Sequence, residues 1–139
     1  MERSRLTSPF YNQWLRSAGD DYAEAALAIA TRDFEKLATV AELSCLKMHS
    51  LMLTSSPTLS YWTPASVACM DRIRELRNHG EAVFFTVDAG PQIKAVCLPE
   101  SRVTVAKALS EVPGVLEILS CSLGEGARII DDEEPLTGR

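Results

Sequence analysis

The sequence predicts an α+β fold: a largely antiparallel four-stranded sheet with helices packed on one face. Three observations predict it. Helix start and stop signals fill residues 1–80. The periodicity switches from helical to strand-like at Gly80, and a hairpin follows around Gly90-Pro91. The strands gather at one end of the chain, with helices before and between them, which is the order of an α+β layer and not of a doubly wound sheet. At 139 residues the chain reads as a single domain, mainly helical over 1–80 and hairpin, helix and strands over 81–130. That length buries a core without disulfide staples.

The elements follow in order. Ser8 is placed to cap a short helix with Pro9 at its first position, turning Phe10, Tyr11 and Trp14 inward. Asp20 and Asp21 open a second, Ala-rich helix running through Ile29, with carboxylates where the helix dipole favours them. Asp33 caps the longest helix, Phe34 to about Leu53. Its stripe Phe34, Leu37, Ala41, Cys45, Met48 and Met52 recurs at three- and four-residue steps, while Leu43, Leu46 and Leu53 lie off it, so this helix is buried on more than one side. After a turn at 55–58 and the pair Tyr61-Trp62, Thr63 as N-cap with Pro64 at N1 starts another helix. Its residues Cys69, Met70, Ile73 and Leu76 face the core, and Gly80 ends it. Residues 82–87 and 92–98 form the hairpin, residues 100–111 a helix packed through Val103, Ala106 and Leu109, Val115 to Ser120 a third strand, and Ala127 to Ile130 a fourth.

Composition narrows the class. Hydrophobic residues make up 46% and charged residues 24%, an ordinary globular mixture. No apolar run approaches the roughly 20 residues that span a bilayer, and Met1-Glu2-Arg3-Ser4-Arg5 leads into no apolar signal core. A cytoplasmic protein with no membrane partner is expected. A net charge of −5 argues against a nucleic-acid partner, which calls for a basic patch. Arg72, Arg74 and Arg77 cluster, but Asp71 and Glu75 interleave with them, as on a solvated helix face. The acidic run 131–134 reads as a frayed terminus. Cys45, Cys69, Cys97 and Cys121 are scattered through apolar runs, with only two histidines in the chain. They read as reduced, structural thiols, and no metal site is expected.

One residue stands out chemically. Asp88 ends a strongly apolar strand and precedes Ala89-Gly90-Pro91, so its carboxylate sits at a strand tip, where it must be solvated, paired or used. Gly90 permits close approach of backbone to a ligand, and Pro91 removes a ladder donor. The same residues also suit an Asx-turn in which Asp88 only caps the bend. His49, next to Met48 on the long helix, is either a packed histidine with one satisfied nitrogen or a near-site residue. Gly124 and Gly126 are turn glycines, because no G-x-G-x-x-G follows a strand.

The stretch Phe85-Thr86-Val87-Asp88-Ala89-Gly90-Pro91 resembles the F-T-x-D-A-G-P-N motif of the mevalonate diphosphate decarboxylases of the GHMP kinase superfamily. Other segments agree in order: Leu6-Thr7-Ser8 before the first helix, Met48-His49-Ser50, Tyr61-Trp62, and Leu123-Gly124-Glu125-Gly126-Ala127. Gln92 departs from the usual Asn, keeping the amide on a longer stem. The resemblance covers nearly the whole chain and corresponds to the C-terminal portion of the family, for which it implies a ferredoxin-like domain.

The resemblance also implies a function. The family phosphorylates the tertiary 3-hydroxyl of mevalonate 5-diphosphate with ATP, then loses phosphate and CO₂ to give isopentenyl diphosphate. Asp88 matches its motif aspartate, as a general base or as a fixed charge beside the cationic centre, and the backbone of Ala89 and Gly90 lines the substrate. ATP and Mg²⁺ are the implied cofactors, with mevalonate diphosphate and ATP the partners of the complete enzyme and a homodimer among the expectations. No phosphate-cradling loop and no Lys or Arg cluster suited to a diphosphate occurs here. The ATP-binding N-terminal domain is thus expected to lie outside this chain, which is expected to be inactive alone. Two alternatives are a decarboxylase acting on mevalonate 5-phosphate and a non-catalytic binding, regulatory or dimerisation module on the same fold.

Overall fold

A computed structural model describes residues 2–126 and 129. Its elements are α1 (Glu2–Thr7), α2 (Tyr11–Ala30), α3 (Phe34–Leu53), α4 (Pro64–Asn78), β1 (Val83–Thr86), β2 (Lys94–Cys97), a single 3₁₀ turn (Pro99–Ser101) and α5 (Arg102–Ser110). The class is α+β, as the sequence predicts. Among the described residues no helix is long and apolar enough to cross a membrane.

The helical half departs from expectation at its start. Leu6 and Thr7 lie inside α1, and Ser8 caps nothing. It is buried, and its Oγ accepts from the Phe10 amide at 3.3 Å and meets Thr54 Oγ1 at 2.8 Å, tying this corner to the end of α3. The two expected helices are one: α2 runs unbroken through Gly19, Asp20 and Asp21. An interior glycine costs about 1 kcal/mol of helix stability, and packing along α3 offsets it. Asp21 does not start a helix but pairs with Lys47 of α3 at 2.7 Å. Of the expected inward set, Tyr11 and Trp14 are half-buried, but Phe10 is exposed.

From Asp33 to Gly80 the element bounds and caps hold closely, but α3 is buried through Ala38, Val40, Glu42, Cys45, His49, Leu51 and Met52. Of the expected stripe only Cys45 and Met52 are fully buried, and Leu43 and Leu53, expected to bury a second side, are exposed. Asp33 accepts from the Lys36 amide at 2.9 Å and caps α3. Thr63 caps α4 in a reciprocal box with Ser66, with Pro64 in the first turn. Gly80 takes φ +93°, the left-handed conformation that ends a helix. Cys69, Met70, Ile73 and Leu76 of α4 meet Val83, Phe85 and Val87 and, from the α5 end, Val105, Ala108, Leu109 and Val112 in one core. That stripe on α5 corrects the expected one, since Val103 is 78% exposed.

The sheet is smaller than predicted. β1 and β2 pair antiparallel, with Val83 opposite Cys97 and Thr86 opposite Lys94, and the sheet described has two strands. Val115 to Ser120 has no regular structure; Leu116 is 98% and Leu119 76% exposed. A strand-like sequence becomes a strand only where it joins a ladder, and this segment joins neither edge of the sheet. The β1 edge is already taken. α3 lies along β1 and offers it side chains at i, i+3 and i+7, which share a helix face. Glu42 Oε1 accepts from the Phe85 amide at 3.3 Å. Cys45 Sγ accepts from the Val87 amide at 3.3 Å, and His49 Nε2 reaches the Val87 carbonyl at 3.0 Å. The edge is closed by a helix, a common way of protecting a strand from further pairing. The predicted fourth strand, 127–130, and the acidic run 131–134 fall outside the described residues except for Ile129.

Candidate functional site

β1 delivers the site. It carries Val83, Phe84 and Phe85 in the core and Val87 just beyond its end, all buried, and at Asp88 the chain passes abruptly into solvent. The Asp88 side chain is 74% exposed and forms an ion pair with Lys94. The pairing follows from register. Lys94 lies opposite Thr86, and Asp88 is two residues past Thr86 on the same face, a diagonal neighbour within reach of a long side chain. The exposed acid is therefore solvated and paired, and no unsatisfied charge is buried.

The turn that follows is shaped by Gly90, whose φ of +152° is strained for any residue with a Cβ. Asp88, Ala89 and Gly90 follow just past the end of β1. His49 does not join them at the surface. It is 2% exposed, packed edge-on against Tyr61 with ring centres 6.3 Å apart and tilted against Trp62 at 4.7 Å. A carbonyl oxygen can only accept, so the His49 Nε2 proton points at Val87 O, one residue before Asp88. Trp62 Nε1 is buried with no partner among the described residues.

Three residues of this neighbourhood escape a sequence reading. Cys45 donates its S–H to the Val87 carbonyl at 3.5 Å, and burial pushes its thiol above the ordinary value, more than its bond to Val87 lowers it. Ser66, 3% exposed, donates to the Pro91 carbonyl at 2.8 Å while accepting from the Thr63 amide at 3.2 Å. Lys94 is the third. The alternation of β2 against β1 is the signal that could have found Lys94; the threonine-to-serine return of the capping box could have flagged Ser66.

Around Asp88 the described residues supply one carboxylate, neutralised by one ammonium. Mg²⁺ takes several oxygen ligands, and a single carboxylate facing a lysine is not such a set. The arginines do not supply an anion cradle either. Arg72 pairs with Glu75 on the exposed side of α4, as expected. Arg74, paired with Asp71, also lies over the buried Phe85 ring 5.1 Å from its centre, and Arg77 turns inward to Glu42 at 3.0 Å. Cys45 and Cys69 are buried free thiols and Cys97 is half-buried, but Cys121 is exposed, against the expectation that all four are core residues.

Comparison with known proteins gives this geometry a setting. The model of the mevalonate 5-diphosphate decarboxylase C-terminal domain matches residues 1–129. A mevalonate pyrophosphate decarboxylase structure from Streptococcus pyogenes superposes with a TM-score of 0.74 at 35% identity, over 78% of this chain and 34% of that one. A complex of MDDEF with MVAPP, AMPPCP and magnesium gives a TM-score of 0.75 at 35% identity, over 78% and 33%. The phosphomevalonate decarboxylase of Haloferax volcanii is 24% identical over 78% of this chain and 33% of its own length. The chain spans about a third of the length of each of these relatives.

Proposed function

The chain belongs to the mevalonate 5-diphosphate decarboxylase C-terminal domain family, and from that membership we propose that it is the C-terminal part of an ATP-dependent decarboxylase converting mevalonate 5-diphosphate to isopentenyl diphosphate. The observation that carries the proposal is Asp88. It is a carboxylate just past the end of a buried apolar strand, projecting into solvent from the turn that Gly90 shapes.

In this reading Asp88 faces the tertiary 3-hydroxyl of the substrate. Its carboxylate accepts the hydroxyl proton as that oxygen is phosphorylated. That proton passes to solvent, to which Asp88 is open. Once the phosphate departs, the restored carboxylate charge stabilises the electron-poor carbon from which CO₂ is then lost. Exposure in this chain leaves Asp88 accessible to an incoming substrate. The backbone of Ala89 and Gly90 lines the substrate. ATP and Mg²⁺ belong to the portion of the complete enzyme outside this chain, because the residues here do not fit them. A second reading, decarboxylation of mevalonate 5-phosphate, is favoured by one observation, the similarity to a phosphomevalonate decarboxylase.

The test is a complete enzyme in which this chain replaces the matching third of the Streptococcus pyogenes decarboxylase, assayed for ATP-dependent CO₂ release with each substrate. Release from mevalonate 5-diphosphate is expected, with none from the isolated 139-residue chain. Release from the monophosphate alone moves the assignment to the second reading. No release from a folded chimera counts against both.

A further inference from the structure

The Asp88 turn is held at both ends by buried side chains from two different helices. At its start, Val87 is 1% exposed. Its amide donates to Cys45 Sγ at 3.3 Å, and its carbonyl takes His49 Nε2 at 3.0 Å. At its far end, the Pro91 carbonyl takes the Ser66 hydroxyl at 2.8 Å, and Ser66 is itself locked in the capping box of α4. Between these points the chain has no buried anchor, only the exposed Asp88–Lys94 ion pair. Asp88 and Ala89 are exposed, and Gly90 occupies a conformation that most residues avoid.

We propose that His49 and Ser66 are positioning residues that clamp the Asp88 turn from α3 and α4, so that the carboxylate is presented at a fixed point. The physical need is clear. A two-stranded hairpin is marginal by itself, and its turn is the part with most freedom to fray. A misplacement of about 1 Å at a reacting group costs up to about 10²-fold in rate. A single anchor would leave the turn to pivot about it; anchors at residues 87 and 91 remove that freedom. The His49 ring is held in turn by Tyr61 and Trp62, so its N–H direction is set by packing. Neither side chain is exposed, and neither reaches the open face where Asp88 projects. Their action is through the backbone. The catalytic consequence rests on the decarboxylase reading; the clamp itself does not.

The experiment therefore has two arms. In the first, backbone ¹⁵N relaxation is measured on the 139-residue chain and on its Ser66→Ala, His49→Leu and His49→Gln variants. The native turn should match β1, with order parameters of about 0.85, and Ser66→Ala should bring Ala89, Gly90 and Gln92 below about 0.6. His49→Gln, which keeps an N–H donor at similar reach, should restore most of what His49→Leu loses. In the second arm the same variants are assayed in the chimeric decarboxylase. Ser66→Ala and His49→Leu should lower kcat roughly 10- to 100-fold with KM within about twofold, and His49→Gln should recover most of it. Should His49→Leu fail to fold, Ser66→Ala, which removes one oxygen, carries the test. Turn order unchanged by Ser66→Ala overturns the clamp. A loosened turn with full activity overturns its positioning role. Loosening in a chimera whose parent is inactive keeps the clamp and rejects the decarboxylase reading.

Discussion

α2 and α3 are each 20 residues long and lie side by side, yet they are committed to the fold very differently. α3 buries seven residues, including Glu42 and His49, and three of its side chains complete the edge of β1. α2 buries Ala28 alone, and Leu15, Tyr22 and Ile29, spaced by sevens, are all more than half exposed. The difference teaches where this domain keeps its specificity. α3 is the spine on which the strand bearing Asp88 is hung; α2 is an outer layer resting on that spine. An amphipathic sequence makes a helix in both cases, but α2 is tied by the Asp21–Lys47 pair, whereas α3 also supplies hydrogen-bond partners to the backbone of Phe85 and Val87.

Stability measurements can break or sharpen that contrast. The largest effect is expected at Leu51 of α3, which is fully buried: Leu51→Ala should cost about 2–5 kcal/mol by urea unfolding. On α2, Ile29→Ser should change stability by no more than about 0.5 kcal/mol. Equal losses would mean that the outer face of α2 is covered in solution and would end the comparison. Next in size is Glu42→Gln. The amide oxygen can still accept from Phe85, but Arg77, with a quarter of its side chain exposed, loses its counter-charge. Allowing for that exposure, a loss of about 1–2 kcal/mol is expected, against a few tenths for disrupting the exposed Arg72–Glu75 pair.

Titration gives a further check. Burial raises the thiols of Cys45 and Cys69, so folding favours their protonated form. Their contribution is complete below the unfolded thiol pKa of about 8.5. It falls as pH rises past that value towards the raised folded ones. Unfolding free energy should therefore decline on the alkaline side, and less steeply in Cys45→Ser after correction for the change in packing. Alkylation of the native chain should reach exposed Cys121 first and Cys45 last. A modest effect is expected at Trp62. Its indole nitrogen makes no hydrogen bond among the described residues. Trp62→Phe therefore removes packing against His49 and the core but no hydrogen bond, and should cost about 1 kcal/mol.

Much of α3, α4 and the hairpin could be read from residues alone, because the deciding forces are local: Asp33 and Thr63 as caps, Pro64 at a first turn, Gly80 at a helix end. The same local logic misled at Ser8 and at Asp20-Asp21, where tertiary partners took the polar groups that looked like caps. It misled again at Val115 to Ser120, since a strand depends on joining a ladder and this segment joins neither edge of the sheet. At the candidate site, Asp88 and Gly90 were legible as an acid and a glycine in an unusual setting. Lys94 needed the strand register, and Ser66 needed the distance between α4 and the turn. Neither is written in spacing along the chain. His49 could be read as a packed histidine, but not that its proton points at the residue before Asp88.

The account turns on whether the charge of Asp88 does chemistry or only shapes a bend. Asp88→Asn in the chimeric decarboxylase separates the two, because asparagine keeps the size and turn-forming capacity of the side chain while removing the charge. The measurement is kcat and KM for mevalonate 5-diphosphate, alongside unfolding of the same variant. The expected result is a folded protein with stability within about 1 kcal/mol of the parent, KM little changed, and kcat lowered at least about 10²-fold. A folded Asp88→Asn enzyme turning over at nearly the parent rate would contradict it and return Asp88 to the role of a turn residue.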